Sequence, residues 1–295
     1  MIASETKTPR RGAALLVLCV ACVGGCRGPA PSASLGVVRL TGDRPASARA
    51  AERPDRVSYA EVADVLTAAL CSEGKLRIDR LKASADALDA QLRLLESLGP
   101  TASPELFASP ADRLAYWYNA RAAWAMKIAL LAWPDEPDGD VDFDVFDRQW
   151  FRLDGREMTL AAIDDLLAAE FGWRAAVASP GVRIDRAPLP AEPFDPATVE
   201  AAVQPRVEAF VDDAERVIVD VEAREVRVPQ ILWRFRGEIV DCHHRTYHTR
   251  GATLTTALLS CVGGRAERRL QLAIGYEPVP RGRGDALDVC ENPLH

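Results

Sequence analysis

The chain has 295 residues, of which 48% are hydrophobic and 27% charged, the balance of a globular protein with enough apolar mass for a sizeable core. Acidic residues outnumber basic ones, 43 to 36, for a net charge of −7, which argues against a nucleic-acid partner and against an electrostatic grip on anionic lipid. The sequence holds no phosphate loop and no dinucleotide fingerprint, and Ser260-Cys261 lies in no nucleophile-elbow context; no cofactor is expected.

Lys7, Arg10 and Arg11 give a basic start, and Gly12 to Gly25 is an uncharged, mostly apolar run. It is shorter than the roughly 20 residues a membrane-crossing helix needs, so it reads as a targeting segment. It closes in Val23-Gly24-Gly25-Cys26, similar to a bacterial lipobox, in which small residues let a peptidase reach the backbone and the Cys carries the lipid. The expectation is a lipoprotein signal peptide over 1–25 and palmitate-type acylation of Cys26. That would anchor the protein to a membrane of the bacterial cell envelope. One acyl chain anchors only reversibly, so stable attachment implies more than one on or near Cys26. Residues 26–55, rich in Pro, Ala, Ser and Gly, read as a flexible tether, and 56–295 as the globular domain.

Ser58 with Glu61 reads as a capping box opening a helix with Val62, Val65, Leu66, Ala69 and Leu70 on one face. A second helix carries Leu81, Ala85, Leu88, Leu92 and Leu95. Ser109 caps a third, with Pro110 at its first position; it runs through Trp117, Tyr118, Trp124 and Leu131 and stops before Pro134. That helix is apolar on most sides, the mark of a buried helix, and Asn119 inside it must find a partner. Residues 134–148 read as a solvated acidic loop lacking the closing Glu of an EF-hand.

Trp150 to Leu153 reads as a short strand turning at Asp154-Gly155, and Thr159 caps a helix whose Leu160, Ile163, Leu167 and Phe171 face inward. Residues 174–194 are Pro-rich and irregular, and Asp195-Pro196 starts a further helix. Val217, Val219 and Val221 against Val226 and Val228 read as a β-hairpin. A helix over Thr253 to Ser260 and a strand over Leu270 to Ile274 follow. The fold class is α+β: a mostly helical single domain with a small antiparallel sheet. Beyond Cys26 the candidates for disulfides are Cys71, Cys242, Cys261 and Cys290, with three connectivities open and a pair within the last three preferred.

Leu114 to Ala120 (Leu-Ala-Tyr-Trp-Tyr-Asn-Ala) resembles the aromatic-aliphatic-Asn signature of the domain of unknown function family 547. Phe151-Arg152-Leu153, Met158-Thr159-Leu160 with Ile163-Asp164, Asp195 to Phe210 and Val226 to Phe235 resemble its later segments in order. Ile274-Gly275-Tyr276 and Asp285-Ala286-Leu287 are similar to its close, so the likeness covers roughly residues 55–290. Such domains typically show a His after the Ile-acid pair, where this chain has Asp165, and a Cys before a Pro-rich turn, where Arg174 to Pro190 holds neither Cys nor His. A nucleophilic thiol needs a base, so any hydrolase-like or transferase-like site that the resemblance implies is one this chain has lost.

The polar residues that remain are Asn119, Asp164, Asp165, Asp185 and Arg186, with Asn119 and Asp165 the catalytic candidates. Neighbours on a helix point about 100° apart, so Asp164 and Asp165 do not face one site. Cys242, His243, His244 and His248 are the metal candidates, with His244 and His248 expected on one helix face; the alternative is a polar turn. The leading expectation is a non-catalytic binding or scaffolding domain with a protein or cell-wall partner. The alternatives are a hydrolase-like envelope enzyme acting on a peptide or cell-wall component, and a metal-handling lipoprotein.

Overall fold

A computed structural model describes residues 36–38, 40, 56–71, 74–134, 139–260, 262, 264–282 and 286–290. The expected signal segment, Cys26, most of the tether and Cys261 lie outside the described residues. Inside the expected tether, Val38 and Leu40 pack against the core, and the Val38 amide donates to the Trp150 carbonyl at 2.9 Å. Two large apolar side chains in a Pro- and Ser-rich stretch are enough to dock it.

Helix α1 spans Ala60–Ala69 and buries Val62, Val65, Leu66 and Ala69. Its expected capping box does not form: Tyr59 is the residue before the first turn, and Ser58 Oγ accepts from the Ala60 amide instead. The expected second helix is two, α2 (Ile78–Ala83) and α3 (Ala85–Ser97), broken at Ser84. Helix α4 (Pro110–Ala132) follows the expected signals. Ser109 Oγ accepts from the Asp112 amide, Asp112 accepts from the Ser109 amide, and Trp133 turns extended before Pro134.

Nearly every side chain of α4 from Leu114 to Ala129 is buried, which makes it the axis of the domain. Its aromatic groups reach outward to neighbours. Trp124 stacks on Phe151 at 4.2 Å, Tyr116 Oη donates to the Leu98 carbonyl and Tyr118 Oη to the Ala175 carbonyl, each at 2.8 Å. Lys127, also buried on α4, pairs with Asp89 of α3 at 2.7 Å.

The acidic stretch ends as helix α5 (Asp144–Arg148), because Val145 and Phe146 have a core to enter. Strands β1 (Phe151–Leu153) and β2 (Arg156–Met158) form an antiparallel pair. Asp154 and Gly155 turn between them with φ of 55° and 73°, the left-handed pair of a two-residue hairpin, which Gly adopts without strain. Helix α6 (Leu160–Phe171) has Thr159 as its cap, as expected. The supposed irregular stretch begins as helix α7 (Trp173–Ala178). Helix α8 (Val199–Asp212) starts later than expected, because Asp195 Oδ1 accepts from the Ala197 amide and holds a turn there.

The second hairpin is β3 (Ile218–Asp220) with β4 (Glu225–Val228), and helices α9 (Gln230–Arg234), α10 (Arg236–Tyr247) and α11 (Leu254–Leu259) follow. The strand expected at Leu270 to Ile274 is instead the end of helix α12 (Gly264–Leu272). Ala266, Leu270 and Ala273 are buried at helical spacing, while Leu272 and Ile274, which made the pattern look alternating, are 79% and 58% exposed. Strand β5 (Glu277–Pro280) then pairs parallel with β4. The α+β, mostly helical class holds, with two small sheets rather than one among the described residues, the larger of them mixed.

The end of the described chain returns to its beginning. Leu76 donates to the Asp288 carbonyl and Cys290 to the Leu76 carbonyl, at 2.7 and 2.9 Å. This lays Cys290 beside Cys71, Cα atoms 6.7 Å apart, and the two form a disulfide. The preference for a pair among Cys242, Cys261 and Cys290 is therefore corrected; Cys242 is a free thiol. A link spanning 219 residues restricts the unfolded chain strongly. Reduction, or Cys71→Ala with Cys290→Ala, is expected to lower unfolding free energy by about 2–5 kcal/mol, measured by urea denaturation with and without reductant.

Candidate functional site

Asn119 and Asp165, the two catalytic candidates, have different partners, whereas Asp164, Asp185 and Arg186 come together. Asn119 on α4 donates from Nδ2 to the Phe194 carbonyl at 2.9 Å and accepts at Oδ1 from the Phe194 amide at 2.8 Å. It is a two-point clamp holding a loop to the central helix. Asp165 is exposed and grips Arg234 of α9 through both carboxylate oxygens at 2.5–3.1 Å.

The candidate histidines do not converge on one point. His243 Nδ1 meets Ser260 Oγ at 3.1 Å, and His244 Nε2 accepts from the Ala252 amide at 3.2 Å. His248 lies past the last turn of α10 with φ of 54°, so it does not share a helix face with His244. Cys242 Sγ accepts from Arg174 at 3.7 Å. Burial pushes that thiol up, but hydrogen bonding with Arg174, Trp173 and Thr246 and the Arg174 charge together outweigh it, and the net direction is down. Among the described residues no three His, Cys, Asp or Glu are grouped to hold a metal.

The polar centre of the domain is Asp164, the neighbour of the expected residue. It projects from α6 with no exposed surface. Arg121 of α4 binds it from Nε at 2.7 Å and Nη2 at 3.3 Å. Arg186 Nη1 donates to it at 2.8 Å and Ser179 Oγ at 3.3 Å. Burial would push the Asp164 carboxyl up; the Arg121 and Arg186 guanidinia outweigh burial and hold it below the ordinary carboxylate value. For Arg121 burial wins and pulls the guanidinium down, while for Arg186 burial is outweighed by Asp164 and Asp185 and the direction is up. The alternation of charge continues outward. Arg186 Nε stands 4.0 Å from Asp185 Oδ1, Arg183 binds Asp185 at 3.1 Å, and Arg183 reaches Asp147 of α5 at 3.3 Å.

The loop carrying these residues, 179–190, is mostly buried yet has no regular structure, so its carbonyls need donors. Arginines supply them. Arg121 Nη1 donates to the Pro180 carbonyl. Arg206 binds the Ala178 and Pro188 carbonyls at 2.8 and 2.7 Å, and Arg216 binds those of Ile184 and Arg186 at 2.7 and 2.5 Å. Burial pulls Arg206 down to about 10. Arg216 also pairs with Asp288 at 2.5 Å, tying the loop to the segment held by the disulfide. At Gly181 an added Cβ would stand 2.6 Å from Arg186 Cβ and 3.2 Å from Arg121 Nη1, so only glycine lets the loop fold this tightly over the pair.

In front of the loop lies a cleft of about 360 Å³, at the small end of the roughly 300–1,000 Å³ range of ligand sites. Arg121, Arg183, Arg186, Arg234, Asp147 and Asp185 give it charge, Gln230 an amide, and Phe146, Leu160 and Val182 an apolar side. Guanidinia, carboxylates and an amide hold ligands by charge and hydrogen bonding. A larger groove of about 810 Å³ opens between Tyr59, Phe107 and Phe194. Comparison with family models, with curated proteins and with solved structures finds no match to the chain.

Arg121, Arg183 and Arg234 were missed from sequence, though two signals were there. Arg121 sits within a helix apolar on most sides, and a cation there needs an anion. Asp164 falls four residues after Leu160 and three before Leu167, on the apolar stripe itself, whereas Asp165 falls off it.

Asp164→Asn leaves two arginines short of their anion, and a loss of about 3–5 kcal/mol is expected. Asp165→Asn breaks an exposed pair and is expected to cost no more than about 1 kcal/mol; urea denaturation of both variants checks the contrast. Because the folded value of Asp164 is depressed, its contribution is complete at neutral pH. It fades as pH falls below the ordinary carboxylate value and is gone below the folded one.

Proposed function

We propose that the chain is a lipid-anchored lipoprotein of the bacterial cell envelope, and that its domain is a non-catalytic binding module with the arginine cleft as its ligand seat. The observation that carries this reading is the cleft itself, where four arginines line one small cavity and the loop behind them is fixed by buried arginines. Preorganised charge of this kind favours an anionic group, since the side chains are ordered before the ligand arrives.

The anchor rests on the lipobox-like Val23-Gly24-Gly25-Cys26. The Cys71–Cys290 disulfide supports it, because such links persist outside the reducing cytoplasm. Membership of the domain of unknown function family 547 belongs to the same proposal and rests on residues 114–120 and the order of the later segments. The acidic balance leaves nucleic acid out of the partners, and the lipid on Cys26 supplies the membrane attachment.

Two measurements test the proposal. Cys26→Ser is expected to move the protein from the membrane fraction to the soluble one; unchanged fractionation would contradict the anchor. Millimolar propionate, a minimal carboxylate with an apolar end, is expected to raise the melting temperature of the purified chain by mass action. The shift should vanish in Arg186→Ala; a shift of equal size in that variant would remove the cleft as the seat.

A further inference from the structure

We infer that the cleft takes the zwitterionic head of a free α-amino acid with an apolar side chain. The inference rests on the cleft being the ligand seat and names what sits there. An anionic group alone would call only on the guanidinia, yet the cleft also presents Asp185 and Asp147 beside its arginines.

Asp185 and Arg186 are adjacent in the chain and both line the cleft, but they pair loosely, 4.0 Å apart. Each has bonding capacity left over. Asp185 is 2% exposed, and its Oδ1 has no hydrogen-bond partner among the described residues. Arg183 is 6% exposed, and its Nε is likewise without one. Among the described residues the Arg186 side chain hydrogen-bonds only through Nη1, to Asp164.

A buried carboxylate oxygen and a buried guanidinium nitrogen left unsatisfied are costly unless something meets them. An α-amino acid carries an ammonium and a carboxylate on one carbon, which matches opposite charges on neighbouring residues. The carboxylate would lie on Arg186 with the ammonium on Asp185, in charge-assisted hydrogen bonds. Phe146, Leu160 and Val182 would then face the side chain, and the cleft volume suits a single residue.

The test uses the purified full chain and three probes: L-leucine, N-acetyl-L-leucine, which keeps only the carboxylate, and L-leucinamide, which keeps only the ammonium. Titration calorimetry is expected to show leucine binding at least tenfold more tightly than either blocked form. Asp185→Asn is expected to remove that advantage, leucine then binding no more tightly than N-acetyl-leucine, with its melting curve confirming that the variant folds. N-acetyl-leucine binding as tightly as leucine would overturn the amino-acid assignment and leave the anion seat standing. Failure of all three probes to bind would overturn the assignment as well, and the propionate response then decides the seat separately.

Discussion

A carboxylate removed wholly from water stays ionised only if cations replace the solvation it has lost, and Asp164 is held by Arg121 from one side and Arg186 from the other. This constraint joins three parts of the chain at one point. Arg121 comes from the central helix, Asp164 from the helix after the first hairpin, and Arg186 from a loop without regular structure. Hydrophobic burial brings the two helices together without specifying how they are aligned. The ion pair, two nitrogens to two oxygens, adds a geometric requirement that apolar contact lacks. The same carboxylate positions Arg186, so the group that stabilises the interior also aims a side chain into the cleft.

A buried irregular loop is an expensive way to build a cavity wall, because each unbonded carbonyl costs free energy. The guanidinium groups of Arg121, Arg206 and Arg216 meet that demand from behind. The segment Ala286–Cys290 adds a second support: Ile184 donates to the Ala286 carbonyl at 3.1 Å and Asp288 to the Val182 carbonyl at 2.8 Å. Cys290 is fastened in turn to Cys71 at the end of the first helix. The cleft wall is therefore coupled to the two ends of the domain, and loosening the disulfide acts on the loop through this path.

Much of the local structure was legible from residues alone, since caps, prolines and alternation act over a few positions. Ser109-Pro110 set the start of the central helix, Asp154-Gly155 the first hairpin turn, and Thr159 a further cap. What failed depended on distant partners. The helix at Gly264–Leu272 was hidden because exposed Leu272 and Ile274 imitated a strand. The disulfide could not be chosen because nothing near Cys71 or Cys290 announces that these two segments meet. At the site, attention to an expected family position led to Asp165, while the hydrophobic period of its own helix pointed to Asp164. The arginines of the cleft come from positions 121 to 234, and no short pattern connects them.

The most direct measurement of this organisation is a double-mutant cycle on Arg121→Met and Asp164→Leu, followed by urea denaturation. Each single variant strands a buried charge, while the double variant replaces the pair with apolar groups. The expected result is a coupling of at least about 1.5 kcal/mol, the double variant losing much less than the two single losses combined. Additive losses would mean that the two residues stabilise the domain independently, and that the cleft is not built on their pairing.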